Sequence, residues 1–200
     1  MQTIAVLGSG TVGSTLARGW ADRYEIVVGS RSTDDPDVRA LANEVGGTAT
    51  DQRAAAADAD IAVLAVHGSA VVDLAKSLSE TLADTVVIDP TNVLPRPDSG
   101  ESLAEQVAAA APDAAVAKAF NTVGANVMAD PQIDGGTATM LLAGDAAAVE
   151  VAEELAADLG FDPVVAGDLS AAIYLEDLAR LWIHLSGEYG RDIAFELLRG

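Results

Sequence analysis

Residues 8–13 read Gly-Ser-Gly-Thr-Val-Gly, between an apolar run, Thr3–Leu7, and a helical window, Val12–Asp22. A G-x-G-x-x-G spacing on its own says little. Between the first strand and first helix of a βαβ unit it dictates one kind of turn. Each glycine has a separate task. Gly8 permits the tight turn, Gly10 lets a pyrophosphate come up to the backbone, and Gly13 lets helix and strand pack closely. The helix that begins there offers unpaired N–H groups and the positive end of its dipole to an anion. The motif therefore predicts a dinucleotide site at Gly8, Ser9, Gly10, Thr11, Val12 and Gly13.

The rest of the chain has the rhythm such a turn requires. Glu25–Val28, Ile61–Val66, Thr85–Ile88, Ala115–Lys118, Thr139–Ala143 and Pro163–Val165 read as further strands. Several are continuous Val, Ile, Leu and Ala runs, which suits strands buried on both faces. Asp37–Glu44, Ser69–Leu82, Glu101–Ala111 and Ala146–Leu159 read as helices, with Asp145 as N-cap and Gly160 as stop of the last. Pro90, Pro95 and Pro97 mark a loop. The alternation predicts an α/β fold, a Rossmann-type doubly wound, mainly parallel sheet. From Leu169 to Leu185 apolar residues follow helical spacing, with Glu176, Asp177 and Arg180 between them, and a second short helix is predicted over Asp192–Leu198. We take 1–167 as the dinucleotide-binding domain and 168–200 as a short helical extension of the same structural unit. The extension has more apolar surface than one sheet face needs, which leaves two uses for it: packing on its own sheet, or the interface of a homodimer.

Charge narrows the function. The 200 residues include 20 Asp and 11 Glu against 9 Arg and two lysines, Lys76 and Lys118, a formal net charge of −20. Such a surface has no basic patch for a phosphate backbone, so nucleic acid is excluded as a partner. Half the residues are hydrophobic, which excludes a disordered acidic tail. There is no cysteine, hence no disulfide and no thiolate nucleophile, and with two histidines a zinc-type metal site is not expected. Mutual repulsion of this size destabilises a compact fold in dilute buffer and is screened in molar salt, where the Debye length is about 3 Å. The composition is that of a halophile's protein or of an acidic, alanine-rich mesophile's. No apolar stretch reaches 18 residues and Met1–Leu7 lacks a basic leader, so a cytoplasmic protein without a membrane partner is expected.

The dinucleotide is read at the end of the second strand. An NAD site places Asp or Glu there to accept from the ribose hydroxyls. Here Ser30 and Arg31 follow the strand. A guanidinium binds a 2′-phosphate bidentately and Ser30 adds a hydroxyl, which points to NADP(H). Asp34, Asp35 and Asp37 lie just beyond, and a loop that curled back would serve NAD instead. His67 ends a strand on the ligand-binding side of the sheet, where it is a coenzyme or substrate contact, a general acid or a loop histidine; His184 reads as structural. Lys118 either approaches a phosphate or forms a buried ion pair, and Asp89 caps the loop that follows it.

These segments resemble the NADP oxidoreductases dependent on the deazaflavin coenzyme F420, over nearly the whole chain. The resemblance rests on GSGTVG, Ile26-Val27-Val28-Gly29-Ser30-Arg31, Asp60-Ile61-Ala62-Val63-Leu64, Ile88-Asp89-Pro90-Thr91-Asn92, Val116–Thr122, and Leu178–Leu185. The Lys118–Thr122 segment is also similar to the NADPH-binding domain of membrane metalloreductases. The resemblance implies NADP(H) and coenzyme F420 bound face to face. It places Ser9, Gly10, Thr11 and Val12 at the pyrophosphate, Ser30 and Arg31 at the 2′-phosphate, Val66 and His67 at the nicotinamide half, and Asn92, Asn121 and Thr122 around the nicotinamide and second coenzyme. Two departures stand out: Asp34 and Asp35 where some members have a further base, and His67-Gly68 where others have proline and a bulky residue.

Hydride transfer between two such coenzymes asks the protein mainly for position. No protein nucleophile is evident, and catalytic candidates stop at His67 and Asn121. Three classes follow: an F420- and NADP-dependent oxidoreductase, an NADPH-dependent reductase of a flavin or small imine or carbonyl, and a non-catalytic redox sensor. Imine reductases of proline synthesis share the N-terminal pattern but add a long helical domain, whereas only about 35 residues follow the last strand here.

Overall fold

The computed structural model describes residues 1–95 and 100–199, so Pro97 lies outside the described residues. The predicted sheet is present, with strands β1 (Thr3–Leu7), β2 (Glu25–Ser30), β3 (Thr48–Asp51), β4 (Ile61–Val63), β5 (Val86–Asp89), β6 (Ala115–Lys118), β9 (Thr139–Gly144) and β10 (Asp162–Gly167). A separate hairpin pairs β7 (Gln132–Ile133) with β8 (Gly136–Thr137). The helices are α1 (Thr11–Trp20), α2 (Pro36–Glu44), α3 (Gln52–Ala57), α4 (Gly68–Ser77), α5 (Leu103–Ala110), α6 (Ala125–Ala129), α7 (Ala146–Asp158) and α8 (Ala172–Tyr189).

The order across the sheet is β10-β9-β6-β5-β4-β1-β2-β3. From β3 to β6 all pairs are parallel; β9 runs antiparallel to β6 and carries β10 parallel to itself. Residues alternate between faces. Ile4 and Val6 of β1 enter one hydrophobic layer with Leu16 and Trp20 of α1 and Leu155 of α7. Ala5 and Leu7 enter the other, with Ala56 of α3, Val71 of α4 and Val107 of α5. Each fully buried large aliphatic chain contributes about 1.5–3 kcal/mol, so an apolar run covered on both sides can only be a central strand. Because α1 and α4 leave neighbouring strands toward opposite faces, a crevice opens at the carboxyl ends of β1 and β4.

Several boundaries depart from expectation. The strand predicted over Ile61–Val66 ends at Val63, because Ala65 N–H bonds Val63 O and Val66 N–H bonds Leu64 O, two consecutive tight turns. α4 stops at Ser77 rather than Leu82, and residues 78–82 continue as turns. α5 starts at Leu103, where Ser102 and Glu105 cap each other reciprocally. Asp145 stands at the N-cap of α7, but its carboxylate accepts from Val116 N at 2.8 Å instead of from its own helix. Gly160 follows α7 at φ +90 as predicted for a stop. The helix predicted over Asp192–Leu198 is absent: Phe195 O accepts from Thr139 N, Leu197 N donates to Thr139 Oγ1 and Ile193 O accepts from Trp182 Nε1. That backbone is committed to its neighbours and cannot bond to itself. No helix among the described residues is long and apolar enough to cross a membrane.

Candidate functional site

At the end of β1 the chain turns through Gly8 at φ +123, whose N–H donates to Gly29 O of β2 at 2.9 Å. A Cβ on Gly8 would lie 2.2 Å from Ala65 O, and one on Gly13 would lie 2.1 Å from Gly8 O. Both positions therefore exclude any larger residue. Gly10 differs: a Cβ there meets nothing within 4 Å, so its side of the turn is open. Gly10 is the N-cap of α1, without a side-chain cap and without an acid in the first turn. The N–H groups of Thr11, Val12 and Gly13 and the helix dipole are thus left for an external anion. A dinucleotide pyrophosphate fits this cradle, in approach and in charge.

Two contiguous hollows meet at this turn. One, of about 510 Å³, is bounded by Gly8–Gly10, Ser30, Arg31 and the face of α4 that carries Ala70 and Leu74. The other, of about 370 Å³, is bounded by Thr11, Val12, Gly68 and Pro90–Asn92. Ala65, Val66 and His67 line both. The cleft thus runs from Arg31, over the glycine turn, to Asn92.

The acids beyond Arg31 face elsewhere. Asp34 is paired with Arg39, whose Nε also donates to Thr33 O, and Asp35 caps α2 by accepting from Asp37 N. None of Asp34, Asp35 and Asp37 lines either hollow. The other described arginines are engaged: Arg18 with Glu44, Arg23 with Asp158, Arg180 with Asp177, Arg199 with Asp162, Arg191 over the Trp182 ring, and Arg53 on Ser77 O and Thr81 Oγ1. Among the described arginines, Arg31 is the one without an ion pair, a side-chain hydrogen bond or a ring contact. Arg53 shares a side depression with Arg31, a proximity sequence reasoning missed; its only signal was being one of 11 cations in the chain.

His67 is the N-cap of α4. Its Nδ1 accepts from Ser69 N at 3.3 Å and lies 2.9 Å from Ser69 Oγ, which assigns the proton of the neutral ring to Nε2. His184 is exposed on α8. Asn92 Nδ2 donates to Asn121 O at 2.7 Å, while Asn121 Nδ2 donates to Asn92 Oδ1 and to Leu175 O, each at 3.1 Å. Asn121 Oδ1 is buried with no partner. Thr122 is buried and lines neither hollow. Before Asn121, buried Phe120 holds φ +59, a left-handed turn unusual for a bulky residue, and directs its N–H at Met140 Sδ.

Behind Asn92 lies a buried charged cluster. Lys118 Nζ donates to Asp89 Oδ2 at 2.9 Å and Thr91 O at 2.5 Å, and pairs with Glu176 Oε1 at 2.9 Å. Of the two uses expected for Lys118, the structure shows the buried ion pair. Asp89 does cap the loop, accepting from Thr91 N and Oγ1, and also holds Lys118. Glu176, which stands between the apolar positions of the C-terminal helix, is 1 % exposed. The signal for it was the Ala172, Glu176, Ala179 spacing, which puts it on the small-residue face that packs inward.

A family model described as NADP oxidoreductase, coenzyme F420-dependent matches residues 3–93. A structure from Arthrobacter sp. FB24, described as an F420-dependent NADP reductase, is 32 % identical with a TM-score of 0.88, covering 100 % of both chains. Metalloreductase STEAP3 of Rattus norvegicus is 28 % identical over 176 residues, 86 % of this chain, and the chain spans 35 % of its length. An imine reductase from Pseudomonas sp. shares the fold alone, at 17 % identity and TM-score 0.71, covering 94 % of this chain and 64 % of that one. Fold, cleft and comparisons define a NAD(P)-dependent oxidoreductase on a Rossmann domain. Within that class, the chain belongs to the coenzyme F420-dependent NADP oxidoreductase family.

Proposed function

We propose that the protein transfers hydride between NADP(H) and the deazaflavin coenzyme F420. One observation carries the NADP half: in a chain with 31 carboxylates, Arg31 lines the cleft and, alone among the described arginines, has no ion pair, side-chain hydrogen bond or ring contact. Arg31 and Ser30 would hold the 2′-phosphate, and the N–H groups of Gly10 to Gly13 the pyrophosphate. Val66, His67 and Asn92 would flank the nicotinamide half, with Asn121 behind Asn92 and Thr122 supporting that turn from the core. Bound NADPH supplies the hydride. The chain's own part is to bind, to orient and to keep water from the reacting faces, which needs no protein acid or base.

The F420 half is supported by the family and by the likeness to the Arthrobacter protein along the full chain. A flavin is the alternative acceptor. Mixing the protein with NADPH and oxidised F420 in molar KCl tests both. Loss of deazaflavin absorbance is expected; NADPH oxidation with flavin alone would move the assignment to a flavin reductase, and binding without turnover to a redox sensor. The outer face of α8, with Tyr174, Leu178, Leu181 and Leu185 at helical spacing, supports a homodimer in which 168–200 serves as the dimerisation segment of one unit with 1–167.

A further inference from the structure

Lys118 and Asp89 are fully buried and Glu176 is 1 % exposed, in the core behind the Asn92 end of the cleft. Charges are costly to bury, and replacing a buried ion cluster with apolar residues of similar volume is often neutral or stabilising. Stability alone therefore does not account for this one. Its hydrogen bonds do. Lys118 donates to Asp89 at the end of β5 and to Thr91 O in the cleft wall, and its ammonium pairs with Glu176 on α8, so one cation ties three parts of the fold.

Thr91 is held three times over. Its carbonyl takes Lys118, and its N–H and hydroxyl donate to Asp89 Oδ1 at 2.8 and 2.7 Å. Glu176 Oε1 extends the web by accepting the Leu103 N–H that opens α5, at 2.7 Å. On the cleft side, Pro90 and Asn92 flank Thr91 and line the second hollow. The wall is also fixed from across the cleft: a Cβ on Gly68 would lie 2.1 Å from Asn92 O. Asn121, paired with Asn92, is tied to Leu175 O, next in sequence to Glu176.

We infer that Lys118 is a positioning residue, a buried cation that fixes the Pro90–Asn92 wall and thereby the half of the cleft that receives the nicotinamide. The inference rests on the NADP reading above and goes beyond it, because Lys118 lines neither hollow and reaches the cleft only from behind, through Thr91 O. It separates the two halves of the ligand. The adenosine half is held by Ser30, Arg31 and the glycine turn, none of which bonds to the cluster.

The test is calorimetric binding of NADPH and of adenosine 2′,5′-bisphosphate, which has the 2′-phosphate but no nicotinamide, in molar KCl. For Lys118→Met, NADPH affinity is expected to fall about tenfold while adenosine bisphosphate affinity stays within about twofold of wild type. Glu176→Gln keeps the shape and the acceptor for Leu103 N–H. It should show the same selective loss at about threefold, and it decides the matter if Lys118→Met gives no cooperative melt. A parallel loss of both ligands would make the cluster a packing feature only, and unchanged affinity for both would remove its role in the cleft. If wild-type protein binds neither ligand, the NADP reading fails first and takes this inference with it.

Discussion

On the proposed reading, one guanidinium, that of Arg31, decides between two coenzymes. Charge-assisted bonds to a phosphate are worth about 1.5–3 kcal/mol, so Arg31→Glu should weaken NADPH by about 10- to 100-fold and leave NADH little changed, as fluorescence titration will show. The glycines separate binding from folding. At Gly10 an added methyl meets no protein atom, so Gly10→Ala should melt within about 3 °C of wild type yet lose NADPH binding. At Gly13 the methyl would meet a backbone carbonyl at 2.1 Å, so Gly13→Ala should lower the melting temperature itself. Tyr24 sets an alkaline limit. Burial, then its bond to Asp158, pushes its hydroxyl from 10.0 up to about 12. The folded state holds that proton more tightly than the unfolded one, so the stabilisation is complete below pH 10 and is lost as pH rises toward 12. Tyr24→Phe should show no Tyr24-dependent loss in that window of a pH-melting series. The turn at Gly8, Gly10 and Gly13 and the place of Arg31 beside it were legible in the sequence because both follow from the spacing of the motif and the end of β2. Lys118 and Glu176 were not, because burial of a charge depends on which distant carboxylate or amide meets it.

At the scale of elements, a strand was legible where its burial is two-sided. β1 and β6 have the predicted limits, since no other element tolerates such continuous apolar runs. β3 pairs only with β2 and reads Thr-Ala-Thr-Asp, too polar to stand out; the six-residue α3 that follows is capped by Asp51. The β7–β8 hairpin turns through Asp134 and Gly135, both at positive φ, a two-residue geometry that its short strands give little reason to expect. The extended segment after α8 was misread as helix because its pattern is helical while its bonds are tertiary. Trp182 anchors it, donating to Ile193 O at 2.8 Å beneath Arg191. Losing that bond and part of a buried indole costs about 2–3 kcal/mol, so Trp182→Phe should lower the melting temperature by about 4–12 °C. Limited proteolysis should then cut first within 191–199.

Across the whole molecule, the charge of −20 and the cleft pull in opposite directions. NADPH is a polyanion that would approach a surface that repels it, while the groups proposed to bind it would act at contact distance: Arg31, the open N-cap of α1 and its dipole. The two effects have different ranges. At 0.01 M salt the Debye length is about 30 Å, so nearly every carboxylate on the molecule opposes the approach; at 1 M it is about 3 Å, and the distant charges drop out while the contacts persist. An ordinary anion site weakens in salt because its attraction is the screened term. Here the larger screened term is repulsive, so the sign reverses. The KM for NADPH should fall between 0.1 and 2 M KCl, and the thermal midpoint should rise over the same range as repulsion between carboxylates is relieved. A KM that climbs steeply with KCl would mean that local attraction at Arg31 dominates the long-range field.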